Sequence, residues 1–238
     1  MGLSHSPSIV TNGLVLALDA ANPKSYPGSG TTWTDLSGNG NITSLSGTFS
    51  YNTNNIGAVK FDAGDELLTV SNSSILSTTF ANSSFTILTT VRSDNVVYPR
   101  SRHPLYVNTN PTSSTEKGWS VGHGASSSSM EFRICDGTNL VNGFLSHSVT
   151  ESTIYHRAFV VDRTVGANMK YYVNSNYIGQ VDAPSVTGSI YTSGELVLGN
   201  VWGWRYIGNI YSIQVYNKVL TDSEIRQNFN ATRGRFGI

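Results

Sequence analysis

Cysteine, charge and long apolar runs are all scarce in this chain, and each shortage excludes a class of protein. The single cysteine, Cys135, among 238 residues cannot form an internal disulfide, so we interpret it as a packed thiol in a core that must itself supply the stability. Charged residues make up only 13% of the chain, and 15 basic side chains balance 15 acidic ones. A neutral chain lacks the positive charge that holds a phosphate backbone, so no nucleic acid is expected as a partner.

Long apolar stretches are missing as well. Residues 1–20 have no basic start and no apolar run long enough for a secretion signal or a membrane span, so we expect no membrane partner. We interpret residues 1–12 as an N-terminal arm and residues 13–238 as one domain, because β-sandwiches commonly reach this length without dividing.

The abundant residues are glycine, serine, threonine and asparagine, a composition typical of many short strands joined by tight turns. Three segments alternate apolar and polar positions, which predicts strands with one buried face in an all-β sandwich of two sheets. The residues predicted to share the buried face of each strand are Phe85, Ile87, Thr89 and Val91; Met130, Phe132 and Ile134; and Tyr211, Ile213 and Val215. A hairpin is predicted in "MKYYVNSNYIGQV", where Asn174, Ser175 and Asn176 suit a tight turn.

One helix is predicted, in the segment "KVLTDSEIRQNF". Thr221 is placed to cap its N-terminus and Glu224 to bond back to the cap, while Leu220 is placed to pack on Ile225. Gly234 is suited to ending the helix. We interpret this helix as a cover on the sandwich rather than a functional site.

The order of these segments resembles the concanavalin A-like lectin/glucanase superfamily, and within it the laminin G-like branch. The matching landmarks are "GLVLALDAANPKSY" with "WTDLSGNGN", then "AVKFDAGDELLTV", then "FTILTTVRS", and finally the run from "YHRAFVV" to "YNKVLTDSEI". The resemblance covers residues 13–230 and implies a jelly-roll of two antiparallel, curved sheets with one short C-terminal helix. In that pattern Trp33 is expected to be buried and His156 to be structural.

The opening "LVLALDAANPKSYPGSGTTWTDLSGNGN" and the ending "NFNATRGRFGI" also resemble structural proteins of tailed bacteriophages. This resemblance implies a virion component that assembles in the host cytoplasm and is exposed on the particle surface, as a capsid or tail decoration or fibre protein. Its expected partners are other virion proteins, with a host-surface glycan and self-association as open alternatives.

Catalysis finds little support in the acidic residues. Glycan-cleaving enzymes of the superfamily use paired carboxylates on one strand, and the chain has no Glu-x-Asp-x-x-Glu run. Its nearest acidic cluster, Asp62, Asp65 and Glu66, straddles a turn that the resemblance assigns to an ordinary loop. We therefore predict a noncatalytic protein without a catalytic residue, and a glycan hydrolase is the least favoured alternative.

Calcium stays an open alternative, because many domains of this branch hold the ion through carboxylate and carbonyl oxygens. The last core strand of the branch often carries an acidic residue where this chain has Tyr211, so the resemblance does not carry a calcium site over. Asp19, Asp35 and Asp62 remain as oxygen donors, although Asp35 better suits a turn in which it bonds backbone N–H groups. No metal ligand and no cofactor are predicted.

The segment "VWGWRY" supplies the candidate binding residues. Tyr206 matches an aromatic packing position of the branch, whereas Trp202 and Trp204 fall in its variable loop, with Arg205 beside them. A flat indole stacks on the apolar face of a sugar or anchors a protein interface; the alternative is that both indoles cap the core. Trp119 is a further candidate, although it opens a predicted core strand.

Together these features predict a noncatalytic virion protein that acts in particle surface architecture and in host attachment. The alternative is a dedicated carbohydrate-binding, lectin-like receptor module.

Overall fold

The computed structural model of the protein describes residues 7–53, 56–62, 65–71, 74–95, 105–107, 111–123, 128–164, 166–191, 195–199 and 206–238. Within these ranges the chain forms fifteen strands and two helices. The strands are β1 Leu14–Asp19, β2 Thr43–Ser46, β3 Phe49–Asn52, β4 Ala58–Phe61, β5 Leu67–Val70, β6 Phe85–Ser93, β7 Leu105–Val107, β8 Lys117–His123, β9 Ser129–Asp136, β10 Leu140–Ser146, β11 Ile154–Asp162, β12 Ala167–Val173, β13 Asn176–Ala183, β14 Leu196–Gly199 and β15 Gly208–Tyr216. The helices are α1 Ser74–Ala81 and α2 Asp222–Phe236.

The strands build two antiparallel sheets. The first sheet has eight strands in the order β13-β12-β11-β6-β15-β4-β3, and β1 pairs with β15 beyond the stretch of β15 that pairs with β4. The second sheet has seven strands in the order β10-β9-β8-β7-β14-β5-β2. The prediction of an all-β jelly-roll sandwich of two antiparallel sheets is confirmed.

The core lies between the two sheets, because alternate residues of each strand point inward. Phe85, Ile87 and Val91 from the first sheet meet Phe132 from the second in one continuous cluster of buried side chains, as predicted from their alternation. Trp33 is fully buried in the same cluster, also as expected.

Strand β15 departs from the predicted alternation. Its pairing register with β6 shifts between Ile210 and Ser212, which makes Tyr211 an extra residue, a β-bulge. Ile210 and Ile213 both lie in the core, whereas the ring centroid of Tyr211 lies 5.2 Å from that of Phe236 in α2. The prediction that Tyr211 shares the buried face with Ile213 is therefore wrong, because the bulge turns Tyr211 to the outer face.

Helix α2 begins as predicted. The side chain of Thr221 accepts a hydrogen bond from the backbone N–H of Glu224, and the Glu224 carboxylate accepts one from the backbone N–H of Thr221 at 2.9 Å. This reciprocal capping box satisfies two N–H groups that the first helical turn leaves unpaired. Leu220 and Ile225 are buried in one cluster, so the helix covers the outer face of the first sheet.

The predicted end of α2 at Gly234 is wrong. The helix continues through Gly234 to Phe236, and its C-cap is Gly237, which has a left-handed φ of 68° and donates its N–H to the carbonyl of Arg233. A helix tolerates glycine at an interior position such as Gly234. The left-handed glycine that ends this helix is Gly237.

Helix α1 is an addition that the sequence did not predict. Its Leu76 and Phe80 are buried in the core, and the Phe80 ring centroid lies 5.0 Å from that of Phe85. Serine and threonine fill half of this segment, and its apolar stripe is limited to Leu76 and Phe80, which is too short to predict a helix from periodicity. Neither α1 nor α2, the helices of the described residues, is long and apolar enough to cross a membrane.

The predicted hairpin is present between β12 and β13. Asn174 and Ser175 form its two-residue turn with φ values of 49° and 65°. Two consecutive left-handed residues are the signature of a type I′ turn, whose twist matches that of the strands it joins.

The described part of the N-terminal arm, residues 7–12, lies along α2. The backbone N–H of Val10 donates to Asn228 at 2.8 Å, and the hydroxyl of Tyr216 donates to the Val10 carbonyl at 2.9 Å. Gln227 donates to the carbonyl of Ser8 at 2.8 Å. This part of the arm is therefore held by its own chain.

Candidate functional site

Several strands end together at one end of the sandwich, which we call the distal end and define by Ser93, His123, Gly199 and Gly208. Ser93 is the last residue of β6 and pairs with Gly208, the first residue of β15. His123 and Gly199 are the last residues of β8 and β14 in the facing sheet. Connecting segments on a rigid frame are where binding groups concentrate, which makes this end the candidate functional site.

The main sequence candidates Trp202, Trp204 and Arg205 lie outside the described residues. The segment that carries them joins β14 to β15, and the described residues on either side of it are Gly199 and Tyr206. Tyr206 is 2% exposed and its hydroxyl lies 2.9 Å from the carbonyl oxygens of Arg92 and Asn209. Burial raises the pKa of Tyr206, so the structure places it as the packing residue that its position in the sequence indicated.

Trp119 lies in the core, at the end of the sandwich opposite the distal end. It is 3% exposed, and its ring centroid lies 5.3 Å from that of Phe85 and 5.6 Å from that of Phe80. Because Trp119 is buried, we remove it from the candidate binding residues. The indole is enclosed by α1 and β6 and presents no face to a ligand.

The acidic cluster at residues 62–66 serves local structure. Asp62 forms an ion pair with Lys60 at 2.9 Å, and Asp65 accepts the backbone N–H of Thr48 at 3.0 Å. Glu66 is 1% exposed and accepts the backbone N–H of Asp62 at 2.7 Å. Each described carboxylate of the cluster therefore has a contact that holds the turn.

The remaining candidate oxygen donors for a metal are engaged by the protein itself. Asp35 accepts the backbone N–H groups of Ala17 at 2.9 Å and Ser37 at 2.8 Å, the turn-fixing role that its sequence indicated. Asp19 accepts the N–H of Ala21 at 3.0 Å and pairs with Arg235 at 2.8 Å. Among the described residues, no group of three or more His, Cys, Asp or Glu side chains could hold a metal ion.

A polar network borders the distal end. Arg92 forms an ion pair with Asp94 at 2.8 Å, and Asn209 donates its side-chain amide to Asp94 at 3.0 Å. The hydrogen bond to Asp94 raises the pKa of Arg92, so the guanidinium remains a cation. A guanidinium, a carboxylate and an amide thus lie beside the residues that flank the segment 200–205.

A second polar group lies beneath the distal end, inside the sandwich. We call Arg157, His123, His147, Tyr155 and Tyr171 the interior polar cluster. Arg157 is 1% exposed, and its guanidinium carbon lies 5.5 Å from the ring centroid of Tyr155. The ring of His147 lies 5.8 Å from that of Tyr155 and 5.6 Å from that of Tyr171.

The histidines of this cluster are held neutral. Burial is the main cause that lowers the pKa of His123, and with the smaller effects of Arg157 and His147 the pKa falls to about 2. Burial and the charge of Arg157 also lower the pKa of His147. Burial raises the pKa of Tyr171 to about 12, against the opposing effect of Arg157. At neutral pH these three neighbours therefore carry no charge, while Arg157 remains a cation.

Arg157 is not among the residues predicted from the sequence, although its position carries a signal. In "IYHRAFVV", alternation places Arg157 on the same face as Tyr155 and Phe159, and that face is the buried one. A charged residue at an inward position of a strand is uncommon, so the break in the pattern marks the site.

Residues 62–226, more than half of the chain, match the family model of laminin G-like domains in the concanavalin A-like lectin/glucanases superfamily. No curated protein matches the sequence.

Solved structures with similar folds include binding domains of toxins. The binding domain of botulinum neurotoxin DC, in complex with rat synaptotagmin II, is 19% identical with a TM-score of 0.71, over 94% of this chain and 52% of that chain. The binding domain of paraclostridial mosquitocidal protein 1 is 15% identical with a TM-score of 0.70, over 93% and 52%. A structure on the ganglioside-dependent cell entry of botulinum neurotoxin type C is 17% identical with a TM-score of 0.70, over 93% and 51%. The chain spans about half the length of these proteins, and at these identities the likeness establishes the fold alone.

Proposed function

Because the chain belongs to the laminin G-like family of the concanavalin A-like lectin/glucanase superfamily, we propose that it is a noncatalytic attachment module that binds a cell-surface glycan at its distal end. The observation that carries the proposal is the meeting of the last residues of β6, β8 and β14 with the first residue of β15 at that end. A rigid two-sheet frame thereby presents several connecting segments side by side.

The chemistry available at the distal end suits a sugar. Glycan sites combine aromatic rings, which stack on the apolar face of a pyranose, with side chains that bond hydroxyl groups. Trp202 and Trp204 supply indoles in the segment between β14 and β15. Asp94, whose side chain is partly exposed, supplies a carboxylate close to where that segment ends.

Similar folds serve receptor binding elsewhere, which supports the same class of function. One structural neighbour is a binding domain of botulinum neurotoxin DC in complex with SialylT. Another belongs to a study in which cell entry of botulinum neurotoxin type C depends on two ganglioside molecules. We carry over the class of receptor, a glycan, and not its identity.

The acidic residues favour binding over hydrolysis. A retaining or inverting glycosidase needs two carboxyl groups about 5–10 Å apart across an open groove. Asp62, Asp65 and Glu66 instead make contacts with neighbouring groups of the protein, and Glu66 is buried. A glycan hydrolase is therefore the disfavoured alternative.

The first experiment is a glycan array with the purified protein beside Trp202→Ala, Trp204→Ala and Arg205→Ala. We expect binding by the unmodified protein and a loss of about tenfold or more for each tryptophan variant, since a buried aromatic anchor carries much of the binding energy. Phe144→Ala is the matched control, because Phe144 is 55% exposed on the outer side of β10. Absence of binding to any glycan by a folded protein would refute the glycan proposal.

We further place this module on the surface of a tailed-bacteriophage particle, as a capsid or tail decoration or fibre protein. The support is the resemblance of residues 14–41 and 228–238 to structural proteins of such phages. The test is electron microscopy of purified particles labelled with an antibody to this protein. Label at regular positions on intact particles supports the assignment, and its absence from particles that are otherwise complete contradicts it.

A further inference from the structure

Arg157 occupies an unusual position for a charged residue. It lies in β11 between two inward-facing neighbours, Tyr155 and Phe159, and its side chain points into the space between the sheets. Only 1% of its surface is exposed. Arginine does not lose its proton in proteins, so a full positive charge is buried in the sandwich.

The guanidinium lacks a counter-charge among the described residues. Within the part of the chain that the structure describes, its Nε and Nη2 atoms have no hydrogen-bond partner. The ion pairs that the described part of the chain makes involve other cations, namely Lys60, Arg92, Arg133, Lys218 and Arg235. A buried charge without a partner is strongly destabilising, and buried N–H groups in native proteins are nearly always bonded.

A cavity lies beside this guanidinium. It is lined by Arg157, Thr89, Val91, Val121, Phe159, Leu198 and Tyr206. Thr89 is the residue of β6 directly opposite Arg157 across the sheet, so both side chains lie on the same face and line the cavity together. The cavity has a volume of about 20 Å³, and a cavity that holds one water molecule needs about 10–15 Å³.

Two other polar groups of the interior polar cluster, Tyr171 and His147, supply no negative charge either. The Tyr171 hydroxyl and the His147 Nε2 have no hydrogen-bond partner within the described ranges. Because the pKa of His147 is lowered by burial and by Arg157, this imidazole is neutral at neutral pH. The interior polar cluster therefore holds one permanent positive charge, and what would neutralise it is an anion.

We propose that the cavity beside Arg157 binds a single monatomic anion of the size of chloride or bromide. The size of the cavity selects this class, because sulfate, phosphate or the carboxylate of a ligand would not fit without movement of the core. Threonine and arginine donors on one side and apolar side chains on the other suit a weakly hydrated halide.

The test is thermal unfolding in sodium bromide, chloride and fluoride at equal ionic strength. A ligand that binds only the folded state raises Tm, so we expect bromide and chloride to raise it above the fluoride value by about 3–5 °C at tenfold excess over the dissociation constant. General salt effects run the opposite way, since weakly hydrated anions stabilise proteins least. Equal Tm values in the three salts would overturn the proposal.

Variants distinguish halide binding beside Arg157 from the general effects of salt on Tm. Arg157→Met is expected to abolish the halide response, and Val121→Leu, which adds a methylene to the cavity wall, is expected to abolish it while keeping the guanidinium. Arg226→Met is the matched control, because Arg226 is exposed on α2 and should leave the response intact. A response that survives in Arg157→Met contradicts the site.

Diffraction from crystals grown in bromide decides the matter even if Arg157→Met fails to fold. We expect an anomalous bromide peak beside the Arg157 guanidinium, in contact with its Nε or Nη2. A peak-free cavity filled by ordered water would overturn the proposal.

Discussion

A single carboxylate, that of Asp136, ties the turn between β9 and β10 to the segment that follows β13. Its Oδ1 accepts the backbone N–H groups of Thr138 at 3.0 Å and Asn139 at 2.8 Å, and its Oδ2 accepts those of Thr187 at 3.1 Å and Gly188 at 3.0 Å. Burial by itself raises the pKa of Asp136, but the N–H groups of Asn139, Gly188 and Thr138 outweigh burial and lower the pKa to about 2.

Replacement of Asp136 should change how stability depends on pH. The folded pKa lies below the unfolded value of about 3.9, so the stabilisation is complete above that value and is lost as the pH falls through about 2. Asp136→Asn puts an NH₂ group against backbone donors, and we expect it to lower the free energy of unfolding by about 2–3 kcal/mol at pH 7. The deficit should shrink as the pH falls, as measured by urea unfolding across a pH series.

The control for this prediction is Asp182→Asn. Asp182 is exposed and bonds only the side chains of Asn168 and Gln180, so its replacement should cost less than about 1 kcal/mol. A deficit in Asp136→Asn that stays constant from pH 7 to pH 2 would contradict the assigned role.

At the scale of residues, the sequence predicted those side chains whose role follows from their neighbours in the chain. Asp35 in "DLSGNGN" and Trp33 have the contacts expected of them. Arg157 was missed because its importance depends on which face of β11 meets the second sheet. Trp119 was misplaced among the binding candidates because the sequence does not show that α1 covers it.

The turn of the β12–β13 hairpin contains backbone strain that a single substitution can remove. Ser175 has a φ of 65°, a conformation that costs a residue with a Cβ about 1–2 kcal/mol. Glycine takes this conformation freely, and Asn-Gly is the favoured type I′ pair. We expect Ser175→Gly to raise the free energy of unfolding by about 0.5–1 kcal/mol, after the greater flexibility of glycine in the unfolded chain is subtracted.

Ser175→Ala is the matched comparison, because alanine keeps the Cβ and therefore the strain. Denaturant midpoints of the three proteins should rise only for the glycine variant. An alanine variant as stable as the glycine variant would show that the hydroxyl of Ser175, and not its φ, limits stability.

At the scale of elements, the sequence predicted those parts whose signals are local. The capping box at Thr221 and Glu224 and the turn at Asn174 and Ser175 depend on adjacent residues, and both are present. The bulge at Tyr211 depends on how β15 pairs with β6, so alternation alone gave the wrong face. Helix α1 is stabilised by its burial against the core. This burial cannot be predicted from the residues of the helix alone.

The whole molecule depends on the N-terminal arm for part of its stability. Val10 is 7% exposed, and its backbone satisfies the side chains of Asn228 and Tyr216. Deletion of residues 1–12 would expose this patch and remove those hydrogen bonds. We expect the free energy of unfolding to fall by about 2–4 kcal/mol, from the lost apolar burial and the lost bonds.

Urea unfolding of the deletion variant measures this effect, with Ser8→Ala as the control. Ser8→Ala keeps the backbone carbonyl that Gln227 bonds and should stay within about 0.5 kcal/mol of the unmodified protein. A deletion variant with an unchanged midpoint would show that the arm is dispensable for the fold and leave it available to other partners.

The central place of β15 in the first sheet has a consequence for the order of folding. This last strand lies between β6 on one side and β1 and β4 on the other, and Leu14 pairs with Tyr216 near the far end of the chain. During synthesis, β1 and β4 therefore leave the ribosome long before the strand that joins them. Pairing over such sequence distances is slow. Strand edges that remain unpaired until β15 is synthesised promote aggregation. A nascent chain that stops short of β15 is thus expected to be recovered in aggregates, and not as half a sandwich.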